Sequence, residues 1–198
     1  MFGSNLPGRL DPENTFLLVI DMQESFSKII VDFDSIVDSI TLLARISKLL
    51  GMPVVGTEQA PDKLGRTVRE VDELLDEKME KTSFDAFRDE RIRERLISLG
   101  RRKVLLTGIE AHICVLQTAL SATSHGLEVH LVNDATGSTF PEDKEVILAR
   151  LLREGIHVTT SESAVYELLG SSEHYRFKEV VPLVKEYRSR RWRKMRGE

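Results

Sequence analysis

The sequence predicts an α/β fold, a three-layer α/β/α sandwich built around a mostly parallel sheet of six strands. Short apolar runs alternate with longer amphipathic segments along the 198 residues of the chain, a pattern that indicates strands followed by helices. The short runs are apolar at nearly every position, which favours strands covered on both faces, as in parallel sheets. Helices that connect parallel strands cross over in the right-handed sense and cover both faces of the sheet. The predicted architecture is therefore Rossmann-like.

The strands are predicted where short stretches rich in valine, leucine and isoleucine stand between polar turns. Such stretches occupy residues 16–20, 53–56, 104–107, 128–132 and 157–160. A sixth, weaker strand is predicted at 78–81. In open parallel sheets ligands bind beyond the carboxyl ends of the strands, so the residues that follow these stretches are where chemistry is expected.

The helices are predicted where apolar residues recur every three or four positions and the pattern stops at glycine or proline. The segment 33–50 is the longest of them and ends at Gly51. The segment 142–154 begins after Pro141, a residue favoured in the first helical turn, and closes at Gly155. The predicted helices cover residues 33–50, 88–99, 111–124, 142–154, 161–169 and 173–186.

Length and charge predict one domain over residues 1–198, with its core at about 14–186 and a basic tail at 187–198. The chain holds 28 Lys plus Arg against 32 Asp plus Glu, a net charge of −4, and six of its last eleven residues are basic. The rest of the chain is therefore clearly acidic, which argues against a nucleic-acid-binding face. The tail is expected to be a solvated, fraying terminus, although it can contact RNA, a membrane surface or an acidic partner.

The composition and the length of the apolar runs also predict the cellular location of the protein. The apolar runs are far shorter than the roughly 20 residues that span a bilayer, and the first residues lack the pattern of a secretory signal. Cys114 is the one cysteine, so no intramolecular disulfide is possible. The sequence therefore predicts a cytoplasmic protein without membrane contact.

Three residues at predicted strand ends carry reactive side chains: Asp21, Lys81 and Cys114. A thiol in the first turn of a helix, next to an ammonium group, is expected to have a lowered pKa. An adjacent aspartate can accept the thiol proton and return it to a leaving group. Taken singly, each residue has a structural alternative: a lone cysteine is often a small buried hydrophobe, and an aspartate after a strand is often a turn residue.

Three ordered motifs point to a family. VIDMQESF at 19–26, EKTSFDAF at 80–87 and LLTGIEAHICVLQTALSA at 105–122 closely resemble the isochorismatase-like cysteine hydrolases, which include nicotinamidases and N-carbamoylsarcosine amidohydrolases. The resemblance extends over about residues 14–186. Within it, TEQAPDKLGRTV at 57–68 and HYRFKEVVPLVKE at 174–186 look most like the isochorismatase domain-containing proteins.

The resemblance implies a role for each residue of the triad. Asp21 is the general base, Lys81 the cation that steers the thiolate, and Cys114 the nucleophile. A cis peptide bond between Ile109 and Glu110 is expected, which turns the N–H of Glu110 inward beside that of Cys114 to form an oxyanion hole. The family also implies a small-molecule substrate and a homo-oligomer, either a dimer or a tetramer.

The chain departs from the metal-dependent members of the family. Nicotinamidases carry Asp-x-His after the second strand, where this sequence has Gln59 and Pro61, and no histidine lies within 62–76. We therefore predict no metal and no cofactor, since the five histidines are scattered and each is more often structural. Isochorismatases proper lack the nucleophilic cysteine, so Cys114 argues against vinyl-ether hydrolysis. Asp85 stands where many relatives have serine.

Substrate contacts are predicted for side chains next to the triad, namely Gln23, Phe26, Gln59, Phe87 and His112. Gln59 either hydrogen-bonds substrate or braces its loop, and phenylalanines at such positions are more often core residues. Asp134 and Ser138 also follow a strand, but a turn role is expected for both.

The predicted function is that of a metal-independent cysteine hydrolase that cleaves a small amide or a related carbon–nitrogen bond. A non-catalytic binding or assembly protein that keeps the fold is the main alternative. A redox sensor that reacts through Cys114 is a third, and it needs an external thiol because no resolving cysteine exists.

Overall fold

A computed structural model describes residues 8–197 and shows a parallel sheet of six strands in the order β3-β2-β1-β4-β5-β6. Every pairing in this sheet is parallel, which confirms the predicted α/β class. The strands are β1 Thr15–Ile20, β2 Val54–Gln59, β3 Glu77–Lys81, β4 Lys103–Ile109, β5 Glu128–Gly137 and β6 His157–Thr159.

The helices lie in two layers, one on each face of the sheet. They are α1 Phe33–Leu49, α2 Pro61–Leu64, α3 Arg69–Asp72, α4 Glu90–Ser98, α5 Leu116–Ser124, α6 Pro141–Arg153, α7 Ser161–Leu169 and α8 Phe177–Arg196. Alternate residues of β1 point to opposite faces: Leu17 and Val19 pack with α1, α7 and α8, whereas Phe16, Leu18 and Ile20 pack with α4 and α5. Because each face of the sheet packs against one of these two hydrophobic clusters, the buried strands are apolar at nearly every position.

Strand β5 is longer than its apolar run predicts. It continues through Asn133 to Gly137, where polar and small residues replace the valines and leucines. The register against β4 shifts between Leu106 and Gly108. Lys144 of α6 donates to the carbonyls of Asn133 and Thr136, both at 2.6 Å. Its ammonium group thus supplies hydrogen bonds at the irregular part of the strand, a tertiary contact that no local pattern reveals.

The predicted fraying tail is helical instead. Residues up to Arg196 continue α8, and Tyr187 is buried. Arg190 pairs with Asp38 of α1 at 3.1 Å, and Arg191 pairs with Asp134 of β5 at 3.1 Å. These carboxylates lie more than fifty residues away in sequence, so their pairing could not be read from the basic composition of the segment. Glu198, the last residue of the predicted tail, lies outside the described residues.

No helix within residues 8–197 has both the length and the apolar character that a membrane crossing requires. The N-terminal segment in which no secretory signal was predicted lies largely outside the described part of the chain.

Candidate active site

The three predicted catalytic side chains meet at the carboxyl edge of the sheet. Asp21 directly follows β1, Lys81 is the last residue of β3, and Cys114 lies in a π-helical turn, Ala111–Val115, between β4 and α5. The strand order reverses between β1 and β4, and such a switch point is where α/β folds bind ligands. Parallel packing therefore brings together residues that are more than thirty positions apart.

Asp21 and Lys81 form a buried ion pair. The Nζ of Lys81 donates to Oδ2 of Asp21 at 2.7 Å and to Oε1 of Gln59 at 2.7 Å. Thr57 donates its hydroxyl to Oδ1 of Asp21 at 2.7 Å. Asp21 is 1% exposed and Lys81 is 2% exposed. Both charges are therefore withdrawn from water but held by close hydrogen-bonding partners, the condition under which a buried pair is tolerated.

The backbone around Asp21 is tightly constrained. Asp21 has φ +52°, in the left-handed region that aspartate visits more readily than most residues. Gly108 of β4 approaches β1 so closely that a Cβ there would lie 2.0 Å from the carbonyl oxygen of Ile20. Only glycine fits at this position, and its close approach brings the end of β4 against the end of β1.

Cys114 is a buried thiol, 7% exposed, in the hydrophobic cluster that also contains Phe87. The pKa of this thiol is raised to about 12, first by burial and then by the charge of Asp21, although the charge of Lys81 lowers it. The predicted lowering of the pKa is therefore wrong. Lys81 is already neutralised by Asp21, so the pair exerts little net field on the sulfur and the cost of burying a thiolate dominates.

The loop before Cys114 has the expected backbone geometry. The peptide bond between Ile109 and Glu110 is cis, as predicted. The carbonyl of Glu110 accepts hydrogen bonds from Ile113 and Val115, and its carboxylate accepts one from the N–H of Thr139 at 2.8 Å. The N–H of Glu110 itself donates to no acceptor among residues 8–197.

The two glutamines near the triad are bound to protein groups. Gln59 accepts from Lys81 and donates its amide to the carbonyl of Thr82 at 2.7 Å. Gln23 donates to the carbonyls of Gly65 and Gln59 and accepts from the N–H of Gln59. These contacts favour the bracing alternative for Gln59 and give Gln23 the same role. Direct substrate contact by either residue stays a prediction.

The remaining predicted contacts lie on different sides of the triad. Phe87 is buried in the cluster of Cys114, and its ring centroid lies 5.3 Å from that of His125. Phe26 packs against the cluster on the opposite face of the sheet. His112 is half-buried and turned towards α6, with Nδ1 3.2 Å from the hydroxyl of Ser138 and Nε2 3.8 Å from Asp143. Their role towards a substrate stays a prediction.

Sequence reasoning missed the roles of two aspartates. Asp85 accepts from the N–H of Phe87 at 2.9 Å and from the hydroxyl of Ser121, so it ties the loop after β3 to α5. Asp134 lies inside β5 rather than in a turn. It accepts from the N–H and the hydroxyl of Ser161 and from the hydroxyl of Tyr187. Both carboxylates thus connect elements that are distant in sequence, and their partners can be identified only in the folded structure.

Comparison with known proteins agrees with this fold. The isochorismatase domain family matches residues 15–163. Isochorismatase domain-containing protein 1 of Salmo salar is 39% identical over 180 residues, which cover 90% of this chain and 63% of that protein. Isochorismatase domain-containing protein 2 of Xenopus laevis is 40% identical over 182 residues, 90% of this chain and 87% of that protein. The chain thus spans less than two thirds of the Salmo salar relative.

A solved structure described as the MAR1 ribonuclease from Caenorhabditis elegans superposes with a TM-score of 0.84 at 36% identity, covering 89% of this chain and 92% of that one. Sequence motifs, sheet order and these relatives all agree. The chain belongs to the isochorismatase domain family, a family of hydrolases.

Proposed function

We propose that the protein is a metal-independent cysteine hydrolase that cleaves a small amide or a related carbon–nitrogen bond through an acyl-enzyme. The observation that carries this proposal is the position of Cys114 beside the Asp21–Lys81 ion pair at the switch point of the sheet, close enough for both charges to act on its thiol. A nucleophile, a proton acceptor and a cation gathered at one sheet edge are the groups that thiol-based acyl transfer needs.

In the first step the thiol proton passes to Asp21 while the sulfur attacks the substrate carbonyl. A resting thiolate is not required, because the proton leaves as the carbon–sulfur bond forms. Protonation of Asp21 removes the charge that neutralised Lys81. The ammonium group then stabilises the negative charge on the reacting atoms, at the moment when that charge appears.

In the second step the tetrahedral intermediate collapses. The N–H groups of Glu110 and Cys114 hold the oxyanion, and each such donor contributes roughly 3 kcal/mol. Asp21 returns its proton to the departing amine, the carbon–nitrogen bond breaks, and a thioester on Cys114 remains. Asp21 then takes a proton from water, whose oxygen attacks the thioester, and the released thiolate takes that proton back as the acid leaves.

The residues at the end of β2 and just after it do not fit the metal site of nicotinamidases. The amide of Gln59 is already engaged by Lys81 and the carbonyl of Thr82, and Pro61 carries no ligand atom. A divalent cation there would also compete with the ammonium group of Lys81. We therefore derive no step through a metal ion.

A screen of small amides and ureas, read as ammonia or amine release, tests the proposal. For a substrate found in this way, Cys114→Ala and Asp21→Asn are expected to lower kcat at least about a thousandfold, the scale seen when a covalent-catalysis residue is removed. Rapid quenching and intact-mass measurement should show an acyl adduct on the wild type but not on Cys114→Ala.

Matched controls separate catalysis from folding. Asp62→Asn and Lys63→Met change exposed residues of the same types on α2 and should leave turnover unchanged. Full turnover by Cys114→Ala would overturn the mechanism. Binding of small amides without any adduct or turnover would favour the non-catalytic alternative.

Ribonuclease activity is a second candidate, because the C. elegans relative is described as a ribonuclease. The charge distribution disfavours it: the net charge is −4, and Arg188, Arg190 and Arg191 are paired with carboxylates of the body. This candidate would be supported if the protein, purified to constant specific activity, still cleaved an RNA oligonucleotide and if Cys114→Ala lost that cleavage.

A further inference from the structure

Three potential metal ligands meet at the edge of the sheet opposite to the triad. Glu128 is the first residue of β5, and His130 lies two residues later on the same face of that strand. His157 is the first residue of β6, and it pairs with His130 in the register of the two strands. Within residues 8–197 this is the one group of three such side chains that converges.

The separations between the ligand atoms suit one small cation. Oε1 of Glu128 lies 2.8 Å from Nε2 of His130 and 3.9 Å from Nε2 of His157. All three ligand atoms fit within 4.8 Å of one another. Two ligands bound tetrahedrally to zinc at about 2.1 Å lie about 3.4 Å apart. The two separations from Glu128 fall on either side of this value by about half an ångström, and the shorter one is a hydrogen bond that the ion would replace.

The surroundings hold the ligands in place and leave one side open. His130 is 2% exposed, whereas the side chain of His157 is 44% exposed. The two rings stack, with centroids 4.7 Å apart. The N–H of Gly8 donates to Oε1 of Glu128 at 3.0 Å, and a Cβ on Gly8 would come within 3.2 Å of the ring of His157. The segment at Gly8 therefore packs directly on the cluster.

We propose that Glu128, His130 and His157 bind a divalent transition-metal ion of the zinc type, with water at the remaining position. Two imidazoles and one carboxylate are ligands that zinc accepts and that magnesium and calcium do not prefer. The ion would join the short edge strand β6 to β5 and hold the segment at Gly8 against both. The site is at the amino ends of the strands, so its role is structural and separate from the hydrolase chemistry.

Sequence reasoning predicted no metal ligands because the histidines are scattered. Glu128 and His130 are near neighbours in sequence, but His157 comes 27 positions later and is brought in only by the pairing of β5 with β6.

Calorimetric titration of the metal-free 198-residue chain with zinc chloride tests the site. We expect one ion per chain. His157→Ala and Glu128→Gln should weaken binding at least about a hundredfold, because even loss of an outer-shell partner can cost that much. His157 is partly exposed, so its substitution should leave the far-ultraviolet circular dichroism unchanged. Cobalt in place of zinc should give the visible absorption of a tetrahedral ion without a sulfur-to-metal charge-transfer band.

Two controls distinguish this site from adventitious binding. His125→Ala removes an exposed histidine outside the cluster, and Cys114→Ser removes the one thiol that zinc could otherwise bind; neither should change the affinity. At zinc concentrations 100 times Kd, the ratio of folded to unfolded protein should rise about a hundredfold for the wild type. Zinc binding that survives His157→Ala, or that disappears in Cys114→Ser, would overturn the proposal, as would the absence of saturable binding.

Discussion

At the scale of single residues, the thiol of Cys114 decides how the chemistry must work. Its helix-terminal position and the nearby ammonium group favour a thiolate when they are considered alone. Burial and the carboxylate of Asp21 outweigh both and raise the pKa to about 12. The balance depends on how much water each atom loses, which is a property of the folded molecule. That these three side chains meet at one sheet edge could thus be predicted from strand ends, but the resting protonation of the thiol could not.

This protonation predicts a slow reaction with alkylating agents. Iodoacetamide reacts with the thiolate, so the alkylation rate of Cys114, followed by intact mass, should be low at neutral pH and should still be rising at pH 10. Cysteine in the unfolded chain, measured in urea, is the control and should level off above its ordinary pKa of about 8.5. A plateau for the folded protein below pH 8.5 would contradict the buried thiol.

Thr57 is predicted to stabilise the protein through its hydrogen bond to Asp21. Thr57→Val keeps the shape but leaves one carboxylate oxygen without its donor, which should cost about 1–3 kcal/mol in urea unfolding. Thr41→Val is the matched control, because the hydroxyl of Thr41 is buried without any partner among the described residues. That variant should be neutral or more stable. Equal effects of the two substitutions would show that the bond to Asp21 contributes nothing.

At the scale of elements, the contact between β1 and β4 requires glycine at position 108. Gly108→Ala places a methyl group 2.0 Å from the carbonyl oxygen of Ile20, on a backbone with φ +106°. We expect this variant to lose more than about 3 kcal/mol and to accumulate mainly in the insoluble fraction. Gly126→Ala is the control: it also has positive φ, but no atom lies within 4 Å, so only about 1–2 kcal/mol of backbone strain is expected. Soluble, fully stable Gly108→Ala would contradict the close approach.

The last turns of α8 are predicted to contribute to stability. Arg190→Gln combined with Arg191→Gln breaks the pairs with Asp38 and Asp134, and each partly exposed pair is worth about 0–1 kcal/mol. The loss should shrink at high salt, since screening weakens such pairs. Arg193→Gln is the control, because no carboxylate pairs with Arg193 among residues 8–197, and it should leave the Tm unchanged. A solvated tail would show no difference between these variants.

The elements also show what local patterns can and cannot predict. The strands and the long helices follow from apolar periodicity, because that pattern is created by the two faces that each element buries. Beyond its apolar run, β5 is contacted by Lys144, 11 residues from Asn133, and α8 docks through Tyr187 on Asp134, 53 residues away. Contacts of this kind are set by the completed fold, and the pattern of either segment alone does not indicate its partner.

At the scale of the whole molecule, the homo-oligomer stays a prediction. Exposed apolar side chains indicate which surface to test as its interface. Phe140, Val146 and Leu152 on and next to α6 are all more than half exposed. Sedimentation velocity should give a dimer or tetramer for the wild type. Val146→Glu should shift the distribution towards monomer if this surface is the interface, whereas Lys178→Glu on α8 serves as a surface control. A monomeric wild type at micromolar concentration would contradict the prediction.

The alternation of side chains along β2 determines where the protein can tolerate insertions and deletions. Thr57 and Gln59 point towards the triad, whereas Glu58 between them points to the other face and is held by Thr67 and Lys78. One inserted residue within β2 would exchange these two sets and bring a second carboxylate beside Asp21. In the loop that follows, side chains do not alternate between two faces, so an inserted residue would not exchange two sets of side chains. Length variation among functional descendants of this chain should therefore be found between residues 60 and 66 and be absent from 54–59.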